Sequence, residues 1–146
     1  MTPPYTQSLL LFAYQATARE LTDILQRSGH PDIRSKHGAV FANLDREGVR
    51  ATVLAARAGM GKAAMGELID ELERLGYVER QPDPDDRRAK RVLPTQAALD
   101  VTRLVHSFNE QLEERLRHRL GERAYDSLRT SLRAIAPEGE MQPRIR

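Results

Sequence analysis

Apolar positions recur at helical spacing along most of the chain. Leu9, Leu10, Phe12, Ala13, Ala16, Leu21, Ile24 and Leu25 predict a helix from Leu9 to about Gln26. Ser28-Gly29-His30-Pro31 should stop it, because Gly releases the last turn and Pro cannot continue it. A second helix is expected from Arg34 to Leu44, burying Ala39, Val40, Phe41 and Leu44. Asp45 to Gly48 then reads as a turn, and Val49-Arg50-Ala51 as a very short strand.

Two helices follow in quick succession. One is predicted from Thr52 to Ala58, ending at Gly59; the other runs from Gly61 or Lys62 to Leu75, ending at Gly76. Tyr77 to Arg80 and Lys90 to Leu93 favour β structure, and the polar stretch from Pro82 to Arg88 between them predicts a hairpin tip. Thr95 is the expected N-cap of a long helix carrying Leu104, Phe108, Leu112, Leu116 and Leu120. Gly121 should break that helix before a last one with Ala124, Tyr125, Leu128, Leu132 and Ile135. Beyond Pro137, residues 138–146 read as a disordered tail.

The pattern is therefore helix, turn, helix and two-stranded ribbon between helical ends. Leu54, Ala55, Ala58, Gly59, Met60, Met65 and Leu68 make its most specific part, since together they allow two short helices to cross around a tight turn. The second of these buries Met65, Leu68, Ile69, Leu72 and Leu75, which leaves Ala63, Gly66, Glu67, Asp70 and Arg74 on the opposite face. In a DNA major groove such a helix reads bases mainly with its N-terminal residues, here Lys62, Ala63, Ala64, Gly66 and Glu67. The two alanines suit thymine methyls, Glu67 suits cytosine N4, and Lys62 suits guanine or phosphate. The plainer reading is that small residues only fill surface.

Composition narrows the options. In 146 residues, 23 basic against 21 acidic side chains leave a net charge of +2, compatible with a local basic patch and not with a uniformly cationic protein. Aromatic residues are 5% and Trp is absent, which favours aliphatic helical packing over a β-sandwich. The absence of cysteine excludes disulfides, thiolate–metal sites and Cys nucleophiles. No apolar run approaches the roughly 20 residues that span a bilayer, and the start of the chain lacks the basic region of a secretory signal, so a cytoplasmic location is expected.

Arg87, Arg88, Lys90 and Arg91 place four cations within five residues, just after Asp85-Asp86. Such a cluster is often a solvated loop. After a helix-turn-helix it can instead lie along the DNA backbone while an arginine enters the adjacent minor groove. Asp86 is expected to hold Arg88, with Arg87 or Arg88 leading into the groove.

From Arg34 to Thr95 the sequence resembles the MarR family of winged-helix regulators, and its wing, DDRRAKRV, resembles the SlyA-like branch. The matching pieces are RSKHGAVFANLD, LAARAGMGKAAMGELIDELERLGYVER, and the D-x-R of Asp86 and Arg88 followed by Val92 and Thr95. The resemblance implies a mainly α (α+β) fold, with a winged helix-turn-helix lobe at 45–94 and a helical dimerisation region from 5–44 and 95–136. It also implies a homodimeric regulator, most often a repressor, that binds a near-palindromic operator on double-stranded DNA. A small aromatic or phenolic effector would release it, from a pocket pointing to Tyr14, Arg34, His37 and Phe41. Neither a cofactor nor catalytic activity is implied. Two departures stand out: the family's Leu-Thr-x-x-Gly after the wing is here Pro94-Thr95-Gln96-Ala97-Ala98, and Ser or Thr at the head of the reading helix is replaced by Gly61, Ala63 and Ala64. Fewer hydrogen-bonding side chains there shift the expected specificity toward the minor-groove arginine and DNA shape.

Dimerisation has its own support in the pattern. Leu9, Leu10 and Phe12 at one end, and Leu128, Leu132 and Ile135 at the other, lack an obvious destination within one chain. A two-fold interface would bury them and space two reading heads roughly 34 Å apart, one turn of the duplex. The alternative is a monomer whose end helices pack on each other.

Other constellations fail on spacing. Gly59-Met60-Gly61-Lys62 lacks the first glycine of a phosphate loop, because position 56 is Ala, and Ala63 stands where a hydroxyl should bind magnesium. Ala64 breaks a GxGxxG pattern. His106/Glu110 and Glu114/His118 are helical pairs better suited to surface charge pairing than to a metal, so no metal site is expected. Two rivals to DNA binding remain: a winged helix that docks an acidic protein partner, and a small-molecule enzyme or carrier using an interhelical cleft.

Overall fold

The computed structural model describes residues 4–136, so the expected tail at 138–146 lies outside the described residues. Among them are six α-helices and one two-stranded antiparallel sheet, and the chain divides into two compact units, Met1–Ser35 and Lys36–Arg146.

The first unit is built on α1 (Thr6–Arg27). It stops where the sequence predicts. Gly29 has φ +92°, and the amides of Ser28 and His30 donate back to Ile24 and Leu25 at 3.0 and 2.9 Å. Leu25 and Ile33 are buried, whereas Leu9, Leu10, Leu11, Phe12 and Tyr14 are exposed.

The second unit begins differently from expectation. The single helix foreseen over 34–44 is a 3-10 turn, Ser35–His37, followed by one α-helical turn, α2 (Gly38–Phe41). The Asn43 side-chain amide donates back to the Ala39 carbonyl and Arg57 Nη1, from α3, donates to the Asn43 carbonyl, so carbonyls that a longer helix would use are bound otherwise. Val40, Phe41 and Leu44 are nonetheless buried as their spacing predicts.

Next come α3 (Ala51–Arg57) and α4 (Lys62–Arg74), which pack against each other. Gly59 turns the chain between them at φ +61°, a conformation that a side chain disfavours. The Met60 amide then donates to the Ala55 carbonyl at 2.9 Å. Of the expected seam and core face, Leu54, Ala55, Met65, Leu68, Ile69 and Leu72 are buried, whereas Ala58, Met60 and Leu75 are half-buried.

The hairpin consists of β1 (Val78–Asp83) and β2 (Asp86–Pro94), both longer than predicted. The strand expected at 49–51 reduces to one bridge. Val49 exchanges hydrogen bonds with Val92 at 3.0 and 2.8 Å, and Ala51 already begins α3. Just before it, Gly48 has φ +84°, and a Cβ there would lie 2.8 Å from Leu93 Cγ.

Thr95 occupies the N-cap position of α5 (Gln96–Leu120) but makes no side-chain cap. Its hydroxyl instead donates to the Gly76 carbonyl at 2.7 Å and its amide to Tyr77 at 3.0 Å, stitching the end of the wing to the end of α4. Gly121 closes α5 at φ +79°, and α6 (Glu122–Ile135) follows. Tyr125 anchors α6: it is buried, its hydroxyl bonds Glu113, and Arg117 lies 4.9 Å above its ring.

Candidate nucleic-acid interface

Two features of the second unit carry the candidate interface: the outward face of α4 and the strand β2. On α4, Lys62, Ala63, Ala64, Glu67, Asp70 and Arg74 are exposed, whereas Gly66, expected on the same outward face, is half-buried. A Cβ added at Gly66 would meet nothing within 4 Å.

The helix is rich in acids, which a polyanion would oppose, yet most of them carry a counterion within the fold. Arg80 on β1 reaches both Asp70 and Glu73, at 2.6 and 2.5 Å. Partial burial works against its charge, but these two carboxylates outweigh it and raise the guanidinium pKa above its usual value. Glu71 receives Lys36 Nζ at 2.6 Å and lies 3.4 Å from His37 Nε2, and the Lys36 bond chiefly holds its pKa below the ordinary carboxylate range. Glu67 is the one acid of this helix that no cation of the described residues engages.

The hairpin tip departs from expectation. Because the strands extend to Asp83 and Asp86, the turn is confined to Pro84 and Asp85, and Arg87 and Arg88 stand on β2 rather than in a loop. Asp86 does not pair with the Arg88 side chain. Its Oδ1 accepts the Arg88 backbone amide at 3.0 Å, and its Oδ2 lies 3.9 Å from Arg50 Nη2.

The organising acid is Asp83, which the sequence reading passed over. It is 2% exposed, accepts Arg50 Nε at 2.7 Å and the Asp85 amide at 2.9 Å, and lies 3.4 Å from Arg91 Nε. These partners, Arg50 first and the Asp85 amide next, hold its pKa down to about 2. Arg50 is the N-cap residue of α3, so the ion pair ties the wing tip to the helix-turn-helix. Arg91 is drawn inward by Asp83 and Asp85. Arg87, Arg88 and Lys90 stay exposed, and no acid of the described residues pairs with their side chains. The only available sign of Asp83 was its place at the foot of the Pro-Asp turn; its main partner lies 33 residues away in the chain.

The four candidate effector residues separate. Phe41 is buried and meets Tyr77 edge-on with ring centroids 6.1 Å apart. His37 is fully buried beside Glu71. Arg34 bonds the Pro31 and Ile33 carbonyls. Tyr14 lines an open groove of about 400 Å³ in the first unit, with Gln15, Ala18, Arg19, Thr22, Asp23 and Ser35. His106 lies 3.5 Å from Glu110 as a surface pair, and the described residues contain no cluster of metal-ligating side chains.

Comparison with known proteins agrees with this geometry. Residues 32–89 match the model of the MarR family. Among solved structures, the reduced form of MarR from E. coli superposes with a TM-score of 0.72 at 22% identity, covering 94% of this chain and 100% of that one. Streptococcus pneumoniae FabT, solved in complex with DNA, gives 0.77 at 18% identity over 88% of this chain and 91% of its own. The S. aureus MepR–DNA complex gives 0.72 at 17% identity, covering 91% and 97%. No curated protein matches the chain by sequence. By its matched segment at 32–89 and the fold that surrounds it, the chain resembles the winged-helix proteins of the MarR family.

Proposed function

We propose that the chain is a DNA-binding transcription regulator that works as a homodimer in the cytoplasm, as a repressor of a pseudo-palindromic operator. One observation carries the reading. The unpaired cations of β2, Arg87, Arg88 and Lys90, belong to the same winged helix as an α4 whose acids Asp70 and Glu73 already hold Arg80. Helix α4 then enters the major groove with Lys62, Ala63, Ala64, Gly66, Glu67 and Arg74 toward the duplex. One of Arg87 and Arg88 enters the flanking minor groove, and Lys90 follows the backbone. FabT and MepR, solved with DNA bound, support the assignment by fold.

The dimer rests on uncovered apolar surface. Leu9 is 53% exposed, Phe12 57% and Ile135 64%, values that a second copy would reduce. The regions 5–44 and 95–136 would form that contact, and 45–94 the DNA-binding lobe. An effector of aromatic or phenolic type would act at the helical region, where Tyr14 lines the groove described above.

The test is selection of bound duplexes from a random pool, followed by affinity measurement over a range of salt. Enrichment of a two-fold symmetric site, with affinity falling steeply as salt rises, is the expected result. Binding that is indifferent to sequence, together with tight capture of an acidic protein partner, would favour the assembly reading instead.

A further inference from the structure

The charge arrangement on α4 singles out one residue. Asp70 and Glu73 share Arg80, and Glu71 holds Lys36, so three of the helix's acids enter an encounter with DNA with a cation already beside them, two cations for three carboxylates. Glu67 is exposed and has no such cation. Its neighbours on the same face are Ala63, one helical turn earlier, and Gly66, with open space where a Cβ would stand. Small neighbours let the backbone come close to base edges, which puts Glu67 foremost among the side chains that follow Lys62 in the first half of the helix.

An uncompensated carboxylate in the major groove meets mostly acceptors: guanine N7 and O6, thymine O4 and adenine N7. Adenine offers an amine, but with N7 beside it. Cytosine alone presents its N4 amine with no acceptor of its own in the groove. A carboxylate there gains a charge-assisted hydrogen bond at cytosine and suffers repulsion at the other bases. We propose that Glu67 selects cytosine at one position of each half-site, a role that rests on the DNA-binding reading above. Attraction and exclusion then come from the same group, which offsets the scarcity of hydrogen-bonding side chains at Gly61, Ala63 and Ala64.

The experiment compares the full-length wild type with Glu67→Ala and Glu67→Gln by selection from a random duplex pool, then by affinity for the selected site with each base at the position concerned. The wild type is expected to prefer cytosine there by about tenfold. Glu67→Ala should reduce that preference to within about twofold while binding unrelated duplex more tightly, since a negative charge is gone. Glu67→Gln should turn the preference toward adenine, whose N6 and N7 match an amide. Both variants should unfold close to the wild-type temperature, because the side chain is exposed and makes no ion pair or hydrogen bond among the described residues. A cytosine preference that survives in Glu67→Ala, or a loss of affinity spread evenly over all positions, overturns the assignment alone. A wild type that enriches no sequence overturns the DNA-binding reading and this assignment together.

Discussion

Asp83 and Arg50 lie 2.7 Å apart, joining the tip of the hairpin to the residue that starts α3. The wing is thereby fastened at its far end as well as at its root, where Thr95 bonds Gly76. Asp83→Asn keeps the shape and removes the charge. Its tip amides, Asp85 and Arg88, should exchange hydrogen faster than in the wild type, and its affinity for a selected duplex should fall several-fold. Exchange rates unchanged at both amides would show that the ion pair does not hold the tip.

The same pair fixes a pH dependence. Asp83 titrates near 2 in the folded chain, below the ordinary carboxylate value of 3.8, so it releases its proton more readily when folded than when unfolded. Its contribution to stability is therefore complete above about pH 4 and is lost as the pH falls through 4 toward 2. Thermal unfolding of the wild type should weaken across that window more steeply than that of Asp83→Asn.

For the wing cations, replacement of Arg87 and Arg88 together by Ala should weaken duplex binding at least tenfold. The plot of log affinity against log salt should also become shallower by about 0.9 for each phosphate contact removed. Exchanging A·T for G·C pairs beneath the wing should cost the wild type more than most major-groove changes, since a narrow minor groove attracts arginine. Competition binding with a panel of substituted duplexes checks the ranking, and the opposite order would contradict it.

How much of this was legible in the sequence depends on the range of the interaction. The seam of Leu54, Ala55, Met65 and Leu68 follows from the helical period, and Gly59 and Gly121 mark turns that they do make. Spacing along one helix is a local property, and the chain displays it directly. The helix expected over 34–44 was overextended because apolar spacing does not reveal that Asn43 and Arg57 bind the carbonyls where it would continue. The sequence points to Asp86 rather than Asp83 for a similar reason. Two neighbouring acids look alike until the fold brings Arg50 to one of them.

Arg80 provides a test free of direct contact. Arg80→Ala should expose the charges of Asp70 and Glu73 and weaken duplex binding three- to tenfold, although the wild-type side chain neutralises acids and reads no base. Adding Asp70→Asn and Glu73→Gln to that variant should restore affinity. Fluorescence anisotropy with a labelled duplex is sufficient; failure of the triple variant to recover would mean that Arg80 contacts the duplex itself.

Gly48 is a position where a methyl group is expected to be costly. Its φ of +84° disfavours a side chain, and the added Cβ would stand 2.8 Å from Leu93 Cγ, so Gly48→Ala should lose about 1–3 kcal/mol. Gly121→Ala shares the positive φ but meets open space, and should lose less. Denaturant titration of the two variants gives the comparison.

A final measurement addresses assembly. Light scattering of the wild type should give about twice the 16.5 kDa of one chain, and replacing Phe12 and Ile135 by Glu should bring it to one. An unchanged mass in the variant would place the contact elsewhere.

The Arg80 clamp also changes what the overall charge of +2 means. Summed over the sequence, the protein looks almost electroneutral, which suggests indifference to a polyelectrolyte. Folding makes it lopsided: most negative groups on α4 are partly offset from within, while β2 projects its positive ones into the solvent. A passing duplex would feel a directional pull toward that edge from beyond contact range, so orientation begins before any base is touched. Capture speed, and its decline in brine, should follow the placement of these ions far more closely than their total.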